Sequence, residues 1–210
     1  MKSFKVNDKE YLIPEKWEEL TLGKYLKFYK RHNLRDKEEP IDDIYLIELV
    51  ELLSDCDEIL KLPMTEQINL IETLNFLIEN PNLSKERTIK SIGGKEYSFA
   101  EMNSLSTGEY VSIKELQRGI KSNLDSIPYI LSVILRPSKT EIDPETNDKK
   151  IILEEFSIDN LSWRAKNYPN MFMAIDVMQH ITFFLTMSAS SLKTMSLSME
   201  KNKNEIPGLL

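Results

Sequence analysis

The sequence predicts a mainly helical α+β protein that carries two small β-hairpins. Three observations predict this fold class: apolar residues recur at helical spacing in several segments, short strand-like runs flank turn-forming residues, and one hairpin-plus-helices pattern occurs twice. The 210 residues are 41% hydrophobic and 29% charged, which is ordinary for a globular protein. This composition excludes collagen-like, low-complexity and wholly disordered chains.

The first predicted hairpin lies near the N-terminus, over residues 4–13. Two short runs flank Asn7 and Asp8, whose side chains favour tight turns and tolerate left-handed backbone geometry. Pro14 ends the second run because it has no backbone N–H to donate to a strand ladder. Thr21 then caps a helix that we expect over about 22 to 32. The start of the chain has no apolar run long enough for a secretory signal, so we expect synthesis and use in the cytoplasm.

Two further helices are predicted in this first unit. The segment from Ile41 to Leu53 is apolar around most of its circumference, so we expect a central helix that several neighbours cover. Another helix opens at Pro63 and Thr65 and ends at Asn80, because a residue that precedes proline is pushed out of the helical region. The polar stretch 81–86 then divides an N-terminal hairpin-plus-helices unit, 1–84, from a C-terminal one, 85–187.

The second unit begins with residues that repeat the start of the chain. The turn and strand at Asn7 to Tyr11 correspond to Gly93 to Tyr97, and Leu20 to Tyr25 corresponds to Leu105 to Tyr110. Ser106 and Glu109 have the spacing of a capping box, which places the repeated glycine in the first turn of a helix. A duplicated unit is one explanation, with Tyr25 and Tyr110 as equivalent residues. Coincidence among common hairpin and cap residues is the alternative.

The rest of the second unit alternates apolar and polar stretches. We predict a helix over about 107 to 121 and a strongly apolar segment over 127–135. Residues 138–150 are rich in turn formers and form an exposed loop, whose flanks 140–142 and 150–152 pair as strands. A buried helix follows from Asn170. Its apolar run is too short for a bilayer because Asp176, Gln179 and His180 interrupt it.

The residue types favour no enzymatic chemistry. One cysteine, Cys56, and two histidines cannot build a Cys/His zinc site, and none of the phosphate-loop, dinucleotide or nucleophile motifs occurs. A net charge of −7 disfavours nucleic-acid binding, which needs clustered basic residues. We therefore predict no catalytic, cofactor or metal residues. The enzyme alternative is a small metal-dependent hydrolase that uses Asp176 and His180, four apart on one helix.

A calcium loop is a weaker alternative. Oxygen-bearing residues occupy several ligand positions between Asp143 and Glu154, but Asp148 stands where such a loop requires glycine. A plain acidic turn and, for His180, a hydrogen-bonded structural role are the simpler interpretations.

The C-terminal segment 188–210 is predicted to be a docking helix and tail. Leu185, Leu192 and Met199 are seven residues apart, and six of the nine methionines lie from Met171 onwards, where flexible thioethers suit a partner surface. We assign partner binding to Leu192, Met195 and Met199. If the segment docks on a partner, deletion of 188–210 should leave a folded monomer that fails to assemble. A plain core helix is the alternative.

Three blocks of sequence carry a family resemblance. They are 13–21 (Ile-Pro-Glu-Lys-Trp-Glu-Glu-Leu-Thr), the pair Gly94-Lys95-Glu96-Tyr97 and Gly108-Glu109-Tyr110, and Phe183-Phe184-Leu185 before a serine-rich end. Together they resemble small, mostly helical structural or assembly proteins of tailed bacteriophages, particularly phages of low-GC or Bacteroidetes hosts.

The resemblance implies a non-enzymatic virion protein of the head, portal vertex or tail, which contacts portal, capsid or tail components and itself in many copies. The protein would be assembled in the host cytoplasm and then reside in the virion, with no direct nucleic-acid site and no membrane contact. A soluble tail or capsid assembly chaperone, absent from the finished particle, is the alternative role.

Overall fold

The computed structural model describes residues 1–34, 41–119 and 123–182. Within these ranges the chain is a mainly helical α+β protein with two small antiparallel sheets, so the predicted fold class is confirmed. One sheet has two strands and the other has four. No helix in the described ranges is both long and apolar enough to cross a bilayer.

The N-terminal hairpin forms as predicted. Strands β1 (Lys2–Val6) and β2 (Lys9–Ile13) pair antiparallel. Asn7 and Asp8 form the turn with positive φ angles of 49° and 63°, the conformation that a two-residue hairpin turn requires and that asparagine and aspartate tolerate best. A short 3₁₀ turn, Trp17–Glu19, then leads to helix α1.

The next three helices are α1 (Leu22–Leu34), α2 (Asp43–Ser54) and α3 (Met64–Ile71). The Asp42 side chain caps α2 by accepting a hydrogen bond from the backbone N–H of Tyr45 at 2.8 Å. Several neighbours cover α2, as predicted, and it is exposed only towards its start, where Ile44 is 68% exposed. The helix predicted up to Asn80 ends its α-helical part at Ile71 and continues as a 3₁₀ helix, Glu72–Ile78.

The remaining elements are the four-stranded sheet, whose strand order is β3-β4-β5-β6, and the helices that follow α3 in the described part of the chain. Its strands are β3 (Thr88–Lys90), β4 (Glu96–Phe99), β5 (Leu135–Ile142) and β6 (Lys149–Leu153). The helices are α4 (Thr107–Gly119), α5 (Asn123–Ile134), α6 (Leu161–Met171) and α7 (174–182, where the described residues end). The predicted pairing of 140–142 with 150–152 is confirmed within the longer β5–β6 hairpin.

The predicted helix from Asn170 onwards is wrong in its start. Residues 170 and 171 end α6, a helix that the polar sequence and Pro169 did not indicate, and α7 begins only at 174. Between the two helices, Phe172 is extended and its carbonyl oxygen accepts a hydrogen bond from Leu22 N–H at 2.9 Å. Ala174 N–H donates to the Leu20 carbonyl at 2.8 Å. These tertiary bonds to the start of α1 interrupt the helix.

The buried apolar residues form two clusters. The N-terminal cluster draws its buried members from residues 6–76, and the C-terminal cluster draws most of its members from residues 89–181. Helix α1 joins them, because Leu22 belongs to the C-terminal cluster while Tyr25 packs against both. The division into units 1–84 and 85–187 stays a prediction, as does the segment 188–210.

The proposed duplication is matched in the order of local elements. Each copy runs from a hairpin strand through a 3₁₀ turn into a helix, α1 in the first copy and α4 in the second. The repeated glycines differ, however. A Cβ atom on Gly23 would lie 3.1 Å from Asn170 Oδ1, whereas the nearest atom to a Cβ on Gly108 is Ser106 Oγ at 4.0 Å, an ordinary contact distance. Close packing against α6 therefore explains Gly23 alone, and the equivalence of Tyr25 and Tyr110 stays a prediction.

Candidate functional site

An open, charged cleft of about 840 Å³ lies beside the outer strand β6. Residues from β6 and the segment after it line one side, and residues around β3, β4 and the start of α4 line the other. The lining includes both signs of charge: Arg87, Arg136, Lys149 and Lys150 with Glu101, Glu109, Glu154 and Glu155.

A buried ion pair lines the cleft. Arg136 Nη2 lies 2.8 Å from Glu109 Oε1, and both side chains are less than 10% exposed. Glu109 belongs to the capping box that the sequence predicted: its Oε2 accepts a hydrogen bond from Ser106 N–H at 2.6 Å, and Glu109 N–H donates to Ser106 Oγ at 3.3 Å. One carboxylate therefore starts α4 and also neutralises the arginine of β5. Burial lowers the pKa of the Arg136 guanidinium, while Glu109 opposes this shift.

A second arginine ties the end of β6 to helix α6. Arg164 Nη2 donates to Glu154 Oε1 at 2.5 Å, and Arg136 Nη1 donates to the Glu154 backbone carbonyl at 3.0 Å. The Arg164 side chain is 3% exposed. Two arginines and two glutamates thus connect β5, β6, α4 and α6 at the base of the β5–β6 hairpin. We call this set, Glu109, Arg136, Glu154 and Arg164, the base cluster.

The base cluster borders the aromatic core. The Tyr168 ring packs edge-on against Tyr97 and Phe172, with centroids 5.8 and 5.0 Å away. Burial raises the pKa of the Tyr168 hydroxyl above its usual range. Among the described residues, Tyr168 Oη, Arg136 Nε and Arg164 Nη1 are buried and make no hydrogen bond. The cluster is arranged to fix the hairpin, since its carboxylates are directed at guanidinium and backbone groups.

The β5–β6 hairpin projects from this base. Every residue from 139 to 150 is exposed. At its turn, Asp143 Oδ1 accepts hydrogen bonds from Glu145 N–H at 2.8 Å and Thr146 N–H at 3.1 Å, and Asn147 takes a positive φ of 60°. These backbone hydrogen bonds lower the pKa of the Asp143 carboxyl. The plain acidic turn is the arrangement that forms, because Glu154 is bound to Arg164 and does not join Asp143.

The hydrolase residues of the sequence hypothesis have other partners. His180 stacks on Phe99 with centroids 3.9 Å apart, and its Nε2 donates to the Glu86 carbonyl at 3.0 Å. Burial lowers the pKa of His180, opposed by that hydrogen bond. Burial also raises the pKa of Asp176, and Glu86 adds to the shift. The hydrogen bond to Glu86 gives His180 the structural role that the sequence favours. In the ranges described, no three His, Cys, Asp or Glu side chains are grouped to hold a metal.

The predicted partner residues Leu192, Met195 and Met199 lie outside the described residues. Arg136, Glu154 and Arg164 are far apart in the chain and match no motif, so the base cluster is not predicted from the sequence. The capping box at Ser106 and Glu109 was the available indication for one member. The other indication was the charge order of residues 149–155, Lys-Lys-Ile-Ile-Leu-Glu-Glu.

Comparison of the chain with protein-family models, curated proteins and solved structures gave no match.

Proposed function

We propose that this chain is a non-enzymatic structural protein of a tailed-bacteriophage virion, placed in the head, portal-vertex or tail region. It acts through protein–protein contacts in a multi-copy assembly. The sequence resemblance supplies the phage context. The structural observation that supports the proposal is the projecting β5–β6 hairpin, which we call the arm.

The arm has the features of a contact element. Its twelve-residue distal part, 139–150, is exposed, and Ile142 near its turn is 60% exposed. A two-stranded ribbon is only marginally stable in water by itself. Here the base cluster holds the two strands where they leave the protein, so the arm is directed away from the core. An element with a fixed base and an exposed end can reach a neighbouring subunit without refolding.

A second exposed surface supports a binding role. Met64 and Ile68 lie about one helical turn apart on α3 and are 71% and 47% exposed, and Leu60 in the 3₁₀ turn Ile59–Lys61 before α3 is 70% exposed. Single exposed apolar residues are normal, whereas an exposed apolar row on one helix, next to a further exposed leucine, is typical of an interaction surface. These residues lie in the N-terminal half of the chain and the arm lies in the C-terminal half. Two separate contact surfaces suit a subunit that joins neighbours on both sides.

The partners proposed are portal, capsid or tail components and further copies of this chain. A soluble assembly chaperone for tail or capsid proteins is the second candidate, because an exposed apolar row also suits transient binding of an unassembled subunit. The two roles differ in one measurable respect. A structural protein stays in the particle, and a chaperone leaves it.

Quantitative mass spectrometry of purified particles tests the proposal. Assembled and unassembled fractions of infected cells are separated by density, and the copy number of this chain is measured relative to the major capsid protein. A fixed ratio that persists after high-salt washing is the expected result. Presence in the unassembled fraction only would support the chaperone role. Absence from the assembled and the unassembled fraction alike would refute the structural role and the chaperone role.

A further inference from the structure

The outer strand of the arm has an unpaired edge. β6 is the last strand of its sheet in the described part of the chain. Glu154 N–H bonds to the Pro137 carbonyl at 2.8 Å, and Asp143 N–H bonds to the Asp148 carbonyl at 2.9 Å. Because antiparallel bonds alternate along a strand, the even-numbered residues of β6 bond to β5. The backbone groups of Lys149, Ile151 and Leu153 therefore face outwards.

The side chains along this edge are self-complementary. Residues 149–155 read Lys-Lys-Ile-Ile-Leu-Glu-Glu, with cations at one end, apolar residues in the centre and anions at the other. In an antiparallel pair centred on Ile152, Lys149 lies opposite Glu155 of the second copy, and Lys150 lies opposite Glu154. Ile151 lies opposite Leu153. Opposite charges directly across a strand pair stabilise it, and like charges destabilise it.

Other arrangements lack this match. A pair centred one residue earlier, on Ile151, sets Asp148 opposite Glu154 and Lys149 opposite Leu153. A parallel pair sets lysine beside lysine. The pair centred on Ile152 also uses the outward-facing backbone groups, since it places the odd-numbered residues opposite one another. Lys149 and Glu155 are exposed and form no ion pair within the described ranges.

We infer that two copies of this chain associate through β6, as an antiparallel strand pair centred on Ile152. The inference rests on the proposed multi-copy role, because it names a second copy as the arm's partner. The contact is isologous, so each dimer contains every charge pair twice. Two four-stranded sheets become one continuous sheet, and strand addition of this kind supplies backbone hydrogen bonds as well as side-chain pairs.

Charge reversal with rescue tests the inference on the purified full chain. The molar mass is measured by sedimentation equilibrium over a wide concentration range, and the wild type should approach twice the chain mass of 24.5 kDa. Lys149→Glu alone and Glu155→Lys alone each create two like-charge contacts per dimer and should weaken the dimer about tenfold. The double variant Lys149→Glu/Glu155→Lys restores both contacts and should recover wild-type association.

Two further variants separate strand pairing from general electrostatics. Lys90→Glu makes the same charge change on β3, the opposite outer strand, and should leave association unchanged. Ile151→Pro removes an outward N–H that the arm itself does not use, and outer strands tolerate proline. It should abolish the dimer while the far-ultraviolet circular dichroism spectrum stays that of a folded protein.

The outcomes decide the inference separately from the proposed function. A wild type that stays monomeric at every concentration overturns it, and the edge lysines then act to keep β6 unpaired. A dimer that Lys149→Glu and Ile151→Pro leave intact, or that the double variant fails to restore, overturns it as well. Neither result bears on the copy number that mass spectrometry measures in particles. If the chain is absent from particles but forms a dimer that the double variant restores, the virion role is refuted and the inferred strand pair is not.

Discussion

The β1–β2 hairpin and the arm have the same number of paired residues but are supported in different ways. Each ladder pairs five residues with five. In the N-terminal hairpin the inward side chains Val6 and Ile13 are buried, and Phe4 stacks on Tyr11 with ring centroids 5.7 Å apart. In the arm every residue from 139 to 150 is exposed. Apolar packing holds the N-terminal hairpin along its length, whereas ion pairs between side chains hold the arm at its base.

This difference separates a hairpin that stabilises the core from a hairpin whose exposed end is, in our proposal, a contact element. A hairpin that is buried along one face unfolds with the core that it covers. A hairpin that is anchored at one end leaves its free end available to a partner. The comparison predicts that substitutions in the arm affect the core only when they reach the base cluster.

The largest expected effect comes from breaking the base cluster. Arg136→Met leaves the buried Glu109 carboxylate without its cation, which should cost about 3–5 kcal/mol of unfolding free energy. The measurement is urea unfolding of the full chain. The matched control is Lys139→Met, three residues further along β5, where the lysine pairs only with Glu141 at the surface. That change should cost less than about 1 kcal/mol.

A double variant distinguishes charge from shape at the same site. Arg136→Met/Glu109→Gln removes both charges, so it should recover a substantial part of the stability that Arg136→Met loses. Equal destabilisation by Arg136→Met and Lys139→Met would show that the base cluster contributes no more than a surface ion pair. The proposed anchoring of the arm would then be wrong.

The second largest effect is expected when the same isoleucine-to-alanine substitution is made in the N-terminal hairpin and in the arm. Ile13 is 0% exposed, so Ile13→Ala leaves a cavity in the core. This should cost about 2–5 kcal/mol of unfolding free energy. Ile142→Ala removes the same atoms from the exposed arm and should change the unfolding free energy by less than about 0.5 kcal/mol. Denaturant midpoints at constant m-value give both numbers. A cost at Ile142 close to that at Ile13 would mean that the arm is packed against the protein.

The helices, strands and turns could be predicted from the sequence better than the contacts between them. The turn at Asn7 and Asp8, the cap at Ser106 and the pairing of the arm strands are local, because neighbouring residues determine them. The exposed Ile44 and the break at Phe172 are not local: the first depends on which face of α2 finds neighbours, and the second on hydrogen bonds to α1. The base cluster consists of side chains that come into contact only in the folded chain. The spacing of these residues in the sequence does not predict such long-range contacts.

The smallest expected effect concerns pH and separates the two turns. In the arm, hydrogen bonds from Glu145 and Thr146 lower the pKa of Asp143. In the N-terminal turn, Asn7 Nδ2 donates at 2.7 Å to Glu58, which comes from the segment after α2. Lys61 and then Asn7 lower the pKa of Glu58. One turn therefore depends on a carboxylate within itself, and the other on a carboxylate from another element.

The sign follows from which form the turn favours. A carboxyl group whose pKa is lower in the folded state binds fewer protons there than in the unfolded state, so its contribution is complete above the unfolded pKa. That contribution is lost as the pH falls through the lowered folded pKa. For Asp143 the loss is confined to the arm, because its hydrogen-bond partners are two and three residues away. Amide hydrogen exchange at Glu145 and Thr146 should therefore quicken, relative to its intrinsic rate, as the pH falls below the usual carboxyl range, while exchange in α5 and α6 keeps its protection. Asp143→Asn keeps an oxygen acceptor without the titratable proton, so its turn should show no such pH dependence. If acid exposes the turn and the helices together, the arm unfolds with the core and the contrast between the two hairpins fails.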